Sequence, residues 1–399
     1  MVASMLMSLG ITARPSRAAV VAEAWGSGQW GQLGNGTTNN SSVPVAVSAL
    51  SSGVNTIVGG ALYSLVVQNG GVYGWGYNGY GQIGNGTAQK SSVPVAVSSL
   101  SSGVTAVAAG NSHSLAVKNG GIWVWGWNGQ GQLGNNSTTS SFVPVALSSL
   151  SSGVTAIGGG YSHSLAVQNG TIWAWGWNPY GQLGNNSTID SHVPVAVSGL
   201  SGGVTSVTGG FYHSLAVQNG SVWAWGYNGN GQLGNNSTTD SHVPVAVSGL
   251  SSGVTAIAGG FLHSLAVKNG SVWAWGYNAN GQLGDGTTTN HLTPELIDPT
   301  DLNNIVAIVA NDQGSSSYAL SSDGTIWGWG NNAEGELGLG NTTSSYLTPQ
   351  HLLPPIGYVF TGISANQQGA LATLAPIPEP ASLSFLALAT LALRRRRRT

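Results

Sequence analysis

The sequence predicts an all-β fold, a propeller of seven four-stranded blades, and three observations carry that reading. The tryptophan of a Trp-Gly pair falls at residues 25, 75, 125, 175, 225 and 275, a step of 50 without drift, and returns at Trp329. Each pair is followed at the same distance by a Gly-x-(Leu/Ile)-Gly turn, from Gly31-Gln32-Leu33-Gly34 to Gly335-Glu336-Leu337-Gly338. Within the repeats the apolar runs are short, alternate along the chain and are bounded by Gly-Gly or Asn-Gly, which is strand and not helix spacing. A unit of about 50 residues holding four short strands cannot bury its own apolar face, so neighbouring units must stack to share a core.

The strands follow in order along the clearest copy. Val254–Ile257 is a short β-type run, broken by Gly259-Gly260. His263–Val267 is the second strand, and Asn269-Gly270 turns the chain into Val272–Trp275, the third. Asn-Gly between two alternating apolar runs signals a hairpin because both turn residues tolerate positive φ. Trp273 and Trp275 share one sheet face and Ala274 takes the other, since side chains alternate along a strand. The fourth strand is Val243–Val247 in the preceding copy, where Pro244 suits an outer edge that needs no N–H. Trp75, Trp125, Trp175, Trp225 and Trp275 are expected in structural, core positions.

Counting fixes the number of blades. The Ser-Leu-type strand recurs at Tyr63-Ser-Leu, His113-Ser-Leu, His163-Ser-Leu, His213-Ser-Leu, His263-Ser-Leu, Tyr318-Ala-Leu and Gly369-Ala-Leu, matching the Trp-Gly strands one for one. The two sets are out of phase, because the chain opens on the Trp25 strand and Val359–Leu374 supplies only the first two strands of a blade. Closure, with the N-terminal strand completing the C-terminal blade, removes the free edges that an open array would expose.

Ala258-Gly-Gly-Phe-Leu-His-Ser-Leu-Ala-Val267, followed by Val272-Trp-Ala-Trp-Gly-Tyr-Asn-Ala-Asn-Gly-Gln-Leu-Gly284, resembles the regulator of chromosome condensation repeat. The resemblance covers roughly residues 22 to 374 and implies a seven-bladed propeller. It does not carry over that family's exchange of nucleotide on a chromatin-bound GTPase, which needs basic nucleosome contacts and an exchange loop that this sequence lacks. Fold alone does not assign function.

Composition narrows the classes further. Of 399 residues, 41% are hydrophobic and only 6% charged, with 62 glycines, so the surface is mostly Ser, Thr, Asn and Gln. The net charge of −2 hides an asymmetry. Arg14 and Arg17 lie near the start and five arginines at the end, leaving Lys90, Lys118 and Lys268 against eleven acidic residues from Glu23 to Glu336. Nucleic-acid binding needs several cations on one surface, and the repeat body does not supply them. With no cysteine, disulfides, thiolate metal sites and cysteine nucleophiles are excluded.

The ends read as addresses. Residues 1–19 form an apolar segment with Ser16-Arg-Ala18 as a cleavage-like site, but the arginines follow the apolar stretch instead of preceding it. Either the start is truncated or the segment is no signal, and the truncated signal agrees with the other end. In residues 375–399, Pro378-Glu379-Pro380 precedes the apolar run Ala381–Leu393 and then Arg394, Arg395, Arg396, Arg397 and Arg398. This run of 13 residues is short for a membrane span, which needs about 20. Their flanking arginines fit the cytoplasmic side in a transient inner-membrane association. The ordered triplet is similar to the Pro-Glu-Pro C-terminal sorting signal of Gram-negative bacteria. That resemblance implies export, processing by an exosortase, and display at the cell surface or in a polysaccharide matrix. Residues 20–374 are the propeller.

Candidate chemistry is sparse. His113, His163, His213 and His263 occupy one slot in four units, with Tyr63 in a fifth. A ring of imidazoles could line the central channel and bind zinc, but equivalent positions are related by rotation and need not converge. A hydrogen-bonding structural role is the reading adopted, with no metal and no cofactor. His192 and His242 precede Val-Pro and read as loop residues. Asp190, Asp240 and Asp285 lie in separate loops without a second carboxylate for paired acid–base work. No Gly-x-Ser-x-Gly elbow or phosphate-binding loop is present, so an enzyme is not expected.

Recognition is the expected role, and strand parity locates it. The loops after the first and third strands emerge on one side of an up-and-down blade. After the first come Tyr161, Phe211-Tyr212 and Phe261-Leu262. After the third come Tyr77, Trp127, Trp177, Tyr227 and Tyr277, with Tyr80 and Tyr180 further along. The opposite side receives Asn-Gly turns and Leu-Ser-Ser-Gly loops. Long loops on a rigid scaffold commonly carry binding, and Tyr and Trp with Asn and Ser make a versatile contact surface. The rings either form this face or pack inward between blades. Adhesion to extracellular polysaccharide or to a surface protein is the leading expectation. A protein-binding inhibitor is the alternative, by similarity to a propeller-type inhibitor of β-lactamases, and an enzyme of unknown class is third.

Overall fold

The computed structural model describes residues 21–377, apart from 51, 299, 312 and 313. Within them lie 28 strands in seven antiparallel four-stranded sheets, with one 3-10 turn at Ser148–Leu150. Blade 1 comprises Val54–Gly59, Tyr63–Gln68, Gly71–Gly76 and Ser91–Ala96. Blades 2 to 5 repeat the pattern, from Val104–Ala109 through the rim strand His291–Ile297. Blade 6 comprises Ile305–Ala310, Ser316–Ser321, Ile326–Asn331 and Ser345–Leu352. In blades 1 to 6 the strands follow chain order from the central channel, lined by the first strands, to the rim.

Blade 7 is assembled from both ends of the chain. Tyr358–Asn366 and Gly369–Pro376 form its inner half, and Ala22–Gly26 and Ser41–Ala46 its outer half. Trp25 pairs with Ala370 and Ala24 with Leu371 in an unbroken antiparallel register. The amino-terminal part therefore supplies two strands to the closure, the Trp25 strand and the rim strand beyond it.

Local sequence explains these elements. Asn269 and Gly270 adopt φ of 52° and 78°, the two left-handed positions that a tight hairpin needs. Proline falls inside each rim strand, as in Ser91–Ala96 and Ser241–Ala246, where an unpaired edge tolerates the missing donor and another chain cannot add easily. Blade 6 departs from the expected alignment. Ser316 pairs with Gly330 as His263 pairs with Gly276, so Ser316-Ser317-Tyr318 fills the His-Ser-Leu positions, two residues earlier than the sequence reading placed them. Tyr318 thus stands in a leucine slot and is fully buried.

Each junction between blades is built around one tryptophan. Trp75, Trp125, Trp175, Trp225, Trp275, Trp329 and Trp25 are all fully buried. Trp225, for example, enters a cluster with Leu165, Val167, Ile172 and Leu183 of the preceding blade. Ala224 and Leu215, on the opposite sheet face, pack towards the following blade. Large-to-small changes at such buried aromatics cost about 3–5 kcal/mol.

A directed hydrogen-bond pair locks the packing. The indole Nε1 of Trp125 donates to the main-chain carbonyl of Gln82 at 2.8 Å, and Ser114 Oγ donates to the same oxygen at 2.8 Å. Both donors belong to blade 2 and the acceptor to blade 1. The same two-donor arrangement joins Gln32 to Ser64 and Trp75, Gln182 to Ser214 and Trp225, and Gln282 to Ser317 and Trp329. The junction from blade 6 to blade 7 differs. The Glu336 carbonyl accepts from the Tyr318 phenol at 2.6 Å, Ala370 occupies the serine position, and Trp25 Nε1 has no hydrogen-bond partner.

This contrast yields a measurable difference. Trp225→Phe removes ring volume and an interblade hydrogen bond, whereas Trp25→Phe removes ring volume alone. We expect Trp225→Phe to be the more destabilising by about 1 kcal/mol in denaturant unfolding. Equal losses would show that the indole bond contributes nothing.

Candidate functional site

The loops between third and fourth strands are built on a buried asparagine. Asn78 Oδ1 accepts from the Ile83 amide at 2.9 Å, while its Nδ2 donates to the carbonyls of Thr87 and Gln89 at 2.8 and 3.1 Å. Asn128, Asn178 and Asn228 do the same in the next three blades. Gln82 Oε1 accepts from the Tyr80 amide at 3.0 Å, pinning the tip of the loop. A loop tied at its base and its tip presents its aromatic residue in a fixed place.

The structure gathers most of the expected aromatic residues at one mouth of the propeller, in two arcs. In the first, Trp30 meets Tyr77 at 5.0 Å between ring centroids, Tyr77 meets Tyr80 at 6.1 Å, and Tyr80 meets Trp127 at 6.1 Å. In the second, Phe261 meets Phe211 at 4.7 Å and Phe211 meets Tyr161 at 4.2 Å. Trp177, Tyr180, Tyr212 and Tyr227 continue it, with Trp177 to Tyr212 at 5.1 Å and Tyr180 to Tyr227 at 5.0 Å. Tyr277 joins neither arc through a ring contact among the described residues. The rings are half-buried and packed mainly edge-on or tilted against each other, as their quadrupoles favour, and do not sink between the blades. Trp30 and Tyr80 are the most open, at 38% and 44%.

Trp30 was not among the residues expected from sequence. It occupies the position of Tyr80 and Tyr180 in the Gly-x-x-Gly segment of the first repeat, so alignment of the seven turns would have found it. Beside it a cleft of about 270 Å³ opens between Trp30, Tyr77 and Tyr80, with Ala61 and Leu62 at its floor and Gln82, Asn111 and Ser112 on its walls.

The rings of the mouth carry no charge, while Lys90, Glu334, Asp190 and Asp240 stand on the same set of loops. Burial raises the Tyr212 phenol above its usual range, and neighbouring Tyr161, Tyr180 and Tyr227 push it the same way, so it stays neutral. Lys118 and Lys268 lie on the other side of the ring, where they donate to the carbonyls of Ser99 and Gly249 and stand over Trp123 and Trp273. Lys90 stands over Trp30, 5.6 Å from the ring centroid.

The slot histidines are elsewhere, between blades. His113 Nε2 lies 2.9 Å from Ser164 Oγ, and His163, His213 and His263 reach Ser214, Ser264 and Ser317 at 2.9, 2.9 and 3.0 Å. Each serine gives its proton to a glutamine carbonyl, so the imidazole must donate through Nε2, and burial keeps it neutral. Tyr63 fills the same slot and meets Ser114 Oγ at 3.0 Å. The imidazoles lie over Gly110, Gly160, Gly210 and Gly260, where a Cβ would fall 2.1–2.2 Å from the ring, which is why a glycine follows the first strand. The channel of about 230 Å³ is lined by the first strands, with Val107, Ala108, Val207, Thr208, Ile257 and Ile308 among its residues, and no imidazole enters it.

Other candidates also resolve into structure. Asp190 and Asp240 accept the amides of Asn178 and Asn228 at 2.8 Å, closing their loops. Asp285 accepts from Thr287, Asn278 and His291, the last at 2.7 Å. His192 and His242 are not loop residues, since they begin the rim strands Ser191–Ser201 and Ser241–Ala246 and lie against Gly131 and Gly181 of the preceding blade. Pro378, Glu379, Pro380 and Arg394 to Arg398 lie outside the described residues, as do residues 1–20.

A family model described as the RCC1-like domain matches residues 21–372. No curated protein matches the chain by sequence. Among solved structures the chain is similar to human WBSCR16, at 23% identity over 90% of this chain and 99% of that one, with a TM-score of 0.78. It is similar to Prp20p from Saccharomyces cerevisiae at 19% identity over 93% and 94%, TM-score 0.80, a protein described with its binding to Gsp1p and histones. Yeast RCC1 (Prp20) bound to Kap60 gives 18% identity over 94% and 97%, TM-score 0.79. Likeness at these identities establishes the shared fold.

The histidines generate a pH test. Burial lowers His113 to about 4 and His163, His213 and His263 to about 3, from 6.5. Their folded values lie below the unfolded one, so unfolding takes up protons between about pH 6.5 and pH 4, and stability falls as pH falls through that window. Each histidine contributes a slope of roughly 1.4 kcal/mol per pH unit there. His163→Gln should lower that slope by one proton, read from denaturant unfolding at a series of pH values. An unchanged slope would mean that His163 titrates normally in the folded protein.

Proposed function

From the premise that the chain belongs to the RCC1-like domain family, we propose that it is a non-enzymatic binding propeller acting through its aromatic mouth. Its partner, in this reading, is an extracellular polysaccharide or a surface protein. The observation that carries the reading is the two arcs of half-exposed rings held at one end of the propeller. Rings with accessible faces accept the C–H face of a sugar or an apolar side chain, and the surrounding Asn, Gln and Ser supply hydrogen bonds without charge. Near-identity between successive blades in residues 151–250 favours a repetitive ligand, because a single globular partner rewards divergence.

Export belongs to the same proposal. The Pro378-Glu379-Pro380, apolar and arginine triplet supports processing by an exosortase and display at the cell surface or in the matrix. In cells carrying such an enzyme, we expect a tail with the three residues replaced by alanine to stay in the membrane fraction while the native chain is released. Equal release of both would remove this part of the proposal.

A protein partner is the second reading, and the second arc favours it. Phe211 packs within 4.2 to 4.7 Å of Tyr161, Tyr212 and Phe261, a compact aromatic cluster of the kind that anchors protein interfaces. Prp20p, of the same fold, is described as binding Gsp1p and histones. A glycan array and a pull-down from culture medium, run with the purified propeller, separate the two. Trp127→Ala with Trp177→Ala is expected to lower binding at least about tenfold, as loss of two ring contacts implies. Binding unaffected by the double substitution would place the partner elsewhere on the propeller.

A further inference from the structure

One loop breaks the rule that the others keep. In five blades the side chain of the residue just before the rim strand closes the loop by accepting a main-chain amide, and in blade 6 the main-chain carbonyl of Ser344 accepts from the Asn332 amide at 3.1 Å instead. Asn40 accepts from Gly28 at 3.0 Å, Ser140 from Asn128 at 3.2 Å, Asp190 from Asn178 at 2.8 Å, Asp240 from Asn228 at 2.8 Å and Asn290 from Asn278 at 2.9 Å. Blade 1 has Lys90 in that position, and an ammonium has no acceptor to offer. Its side chain instead extends along the mouth to Trp30 of blade 7, with Nζ 5.6 Å from the ring centroid. Lys90 makes no ion pair among the described residues, and Glu334, on the neighbouring loop of blade 6, is bonded to Asn40 at 2.6 Å.

The ring that Lys90 covers is also a wall of the cleft between Trp30, Tyr77 and Tyr80. Gln82 lines the same cleft while almost wholly buried. Its Oε1 is committed to the Tyr80 amide, so the group it has left to offer a ligand is the Nε2 donor. At about 270 Å³ the space is small for a ligand site and suits a single ring. Flat apolar walls and an amide side chain thus line the cleft, and one cation without an ion pair stands over the ring at its edge, where the repeat would otherwise place a neutral or acidic side chain.

We propose that this cleft takes a uronic-acid unit of an acidic polysaccharide. The C–H face of the pyranose rests on the Trp30 and Tyr80 rings, a hydroxyl accepts from Gln82 Nε2, and the carboxylate meets Lys90. A phosphate group is a poorer match, since a single cation stands here. This deepens the reading of the mouth as a polysaccharide surface and rests on it.

Calorimetric titration of the purified full chain with hexamers of galacturonate, mannuronate and guluronate, each beside its methyl ester, tests the proposal. At least one acidic hexamer should bind about fivefold more tightly than its ester, as one exposed charge pair allows. K90Q should abolish that difference without changing the melting temperature, and W30A should remove binding of both forms. W177A, in the other arc, should leave the difference intact. Equal affinity for acid and ester, an unaltered preference in K90Q, or preference for the ester would overturn the uronate assignment while leaving the polysaccharide reading in place. Absence of binding by all six hexamers would overturn the assignment, and absence of retention on the wider glycan array would remove the polysaccharide reading as well.

Discussion

The main-chain carbonyl of one glutamine in each of six blades is the constraint on which the molecule turns. It accepts the indole and the serine hydroxyl of the next blade, as the Gln182 carbonyl does from Trp225 and Ser214, both at 2.8 Å. Two donors on one carbonyl fix the direction of the third-to-fourth loop from outside the blade that owns it. The same loops carry Trp30, Tyr77, Tyr80, Trp127, Trp177, Tyr180 and Tyr227. In Gln82 the two roles meet, with the main chain locking blade 2 and the side chain pinning Tyr80 and lining the cleft. Stability and presentation of the mouth therefore share one element, and a loop that loosened would loosen both.

The closing junction relies on other forces. Glu336 replaces the glutamine, Ala370 the serine, and the Tyr318 phenol takes the carbonyl that an indole would otherwise reach. What holds blade 7 is backbone pairing between Ala22–Gly26 and Gly369–Pro376, with Phe360, Leu374 and Trp25 packed on Leu320 and Leu337. Burial raises the Glu336 carboxyl above the usual range. Its oxygens accept from Asn331 Nδ2 at 2.6 Å and from the Glu334 amide at 2.8 Å, so the buried group is satisfied even though the latch is absent.

Much of this was legible in the sequence because repetition averages out local ambiguity. The period of the Trp-Gly pairs gave the blade count, and the phase difference between two sets of strands gave the closure. Blade 6 was misaligned where the period itself slips. Trp275 to Trp329 is a step of 54, with one extra residue before the blade, two between Ala310 and Ser316 and one in the Ser321–Thr325 turn, and Tyr318 mimics a slot tyrosine. The fate of the slot histidines was readable only as a category, since their serine partners lie 51 residues on in three cases and 54 in the fourth. The aromatic loops could be assigned to one mouth by strand parity, but their division into two arcs, with Tyr277 outside both, depends on distances between blades. Trp30 escaped because the first repeat has Gly28 where the others have the clamp asparagine, and Lys90 was visible only as one of three lysines until its place over Trp30 was seen.

Native-state hydrogen exchange tests the central claim, that the ring is one cooperative unit closed by its own ends. If the closure holds the ring, the paired amides of Ala22–Gly26 should exchange only by global unfolding, with protection equal to that of Thr171–Gly176 in blade 3 and the same dependence on denaturant. Exchange of Ala22–Gly26 at distinctly lower free energy, while blade 3 stays protected, would mean that blade 7 opens independently and that the other junctions hold the propeller without it.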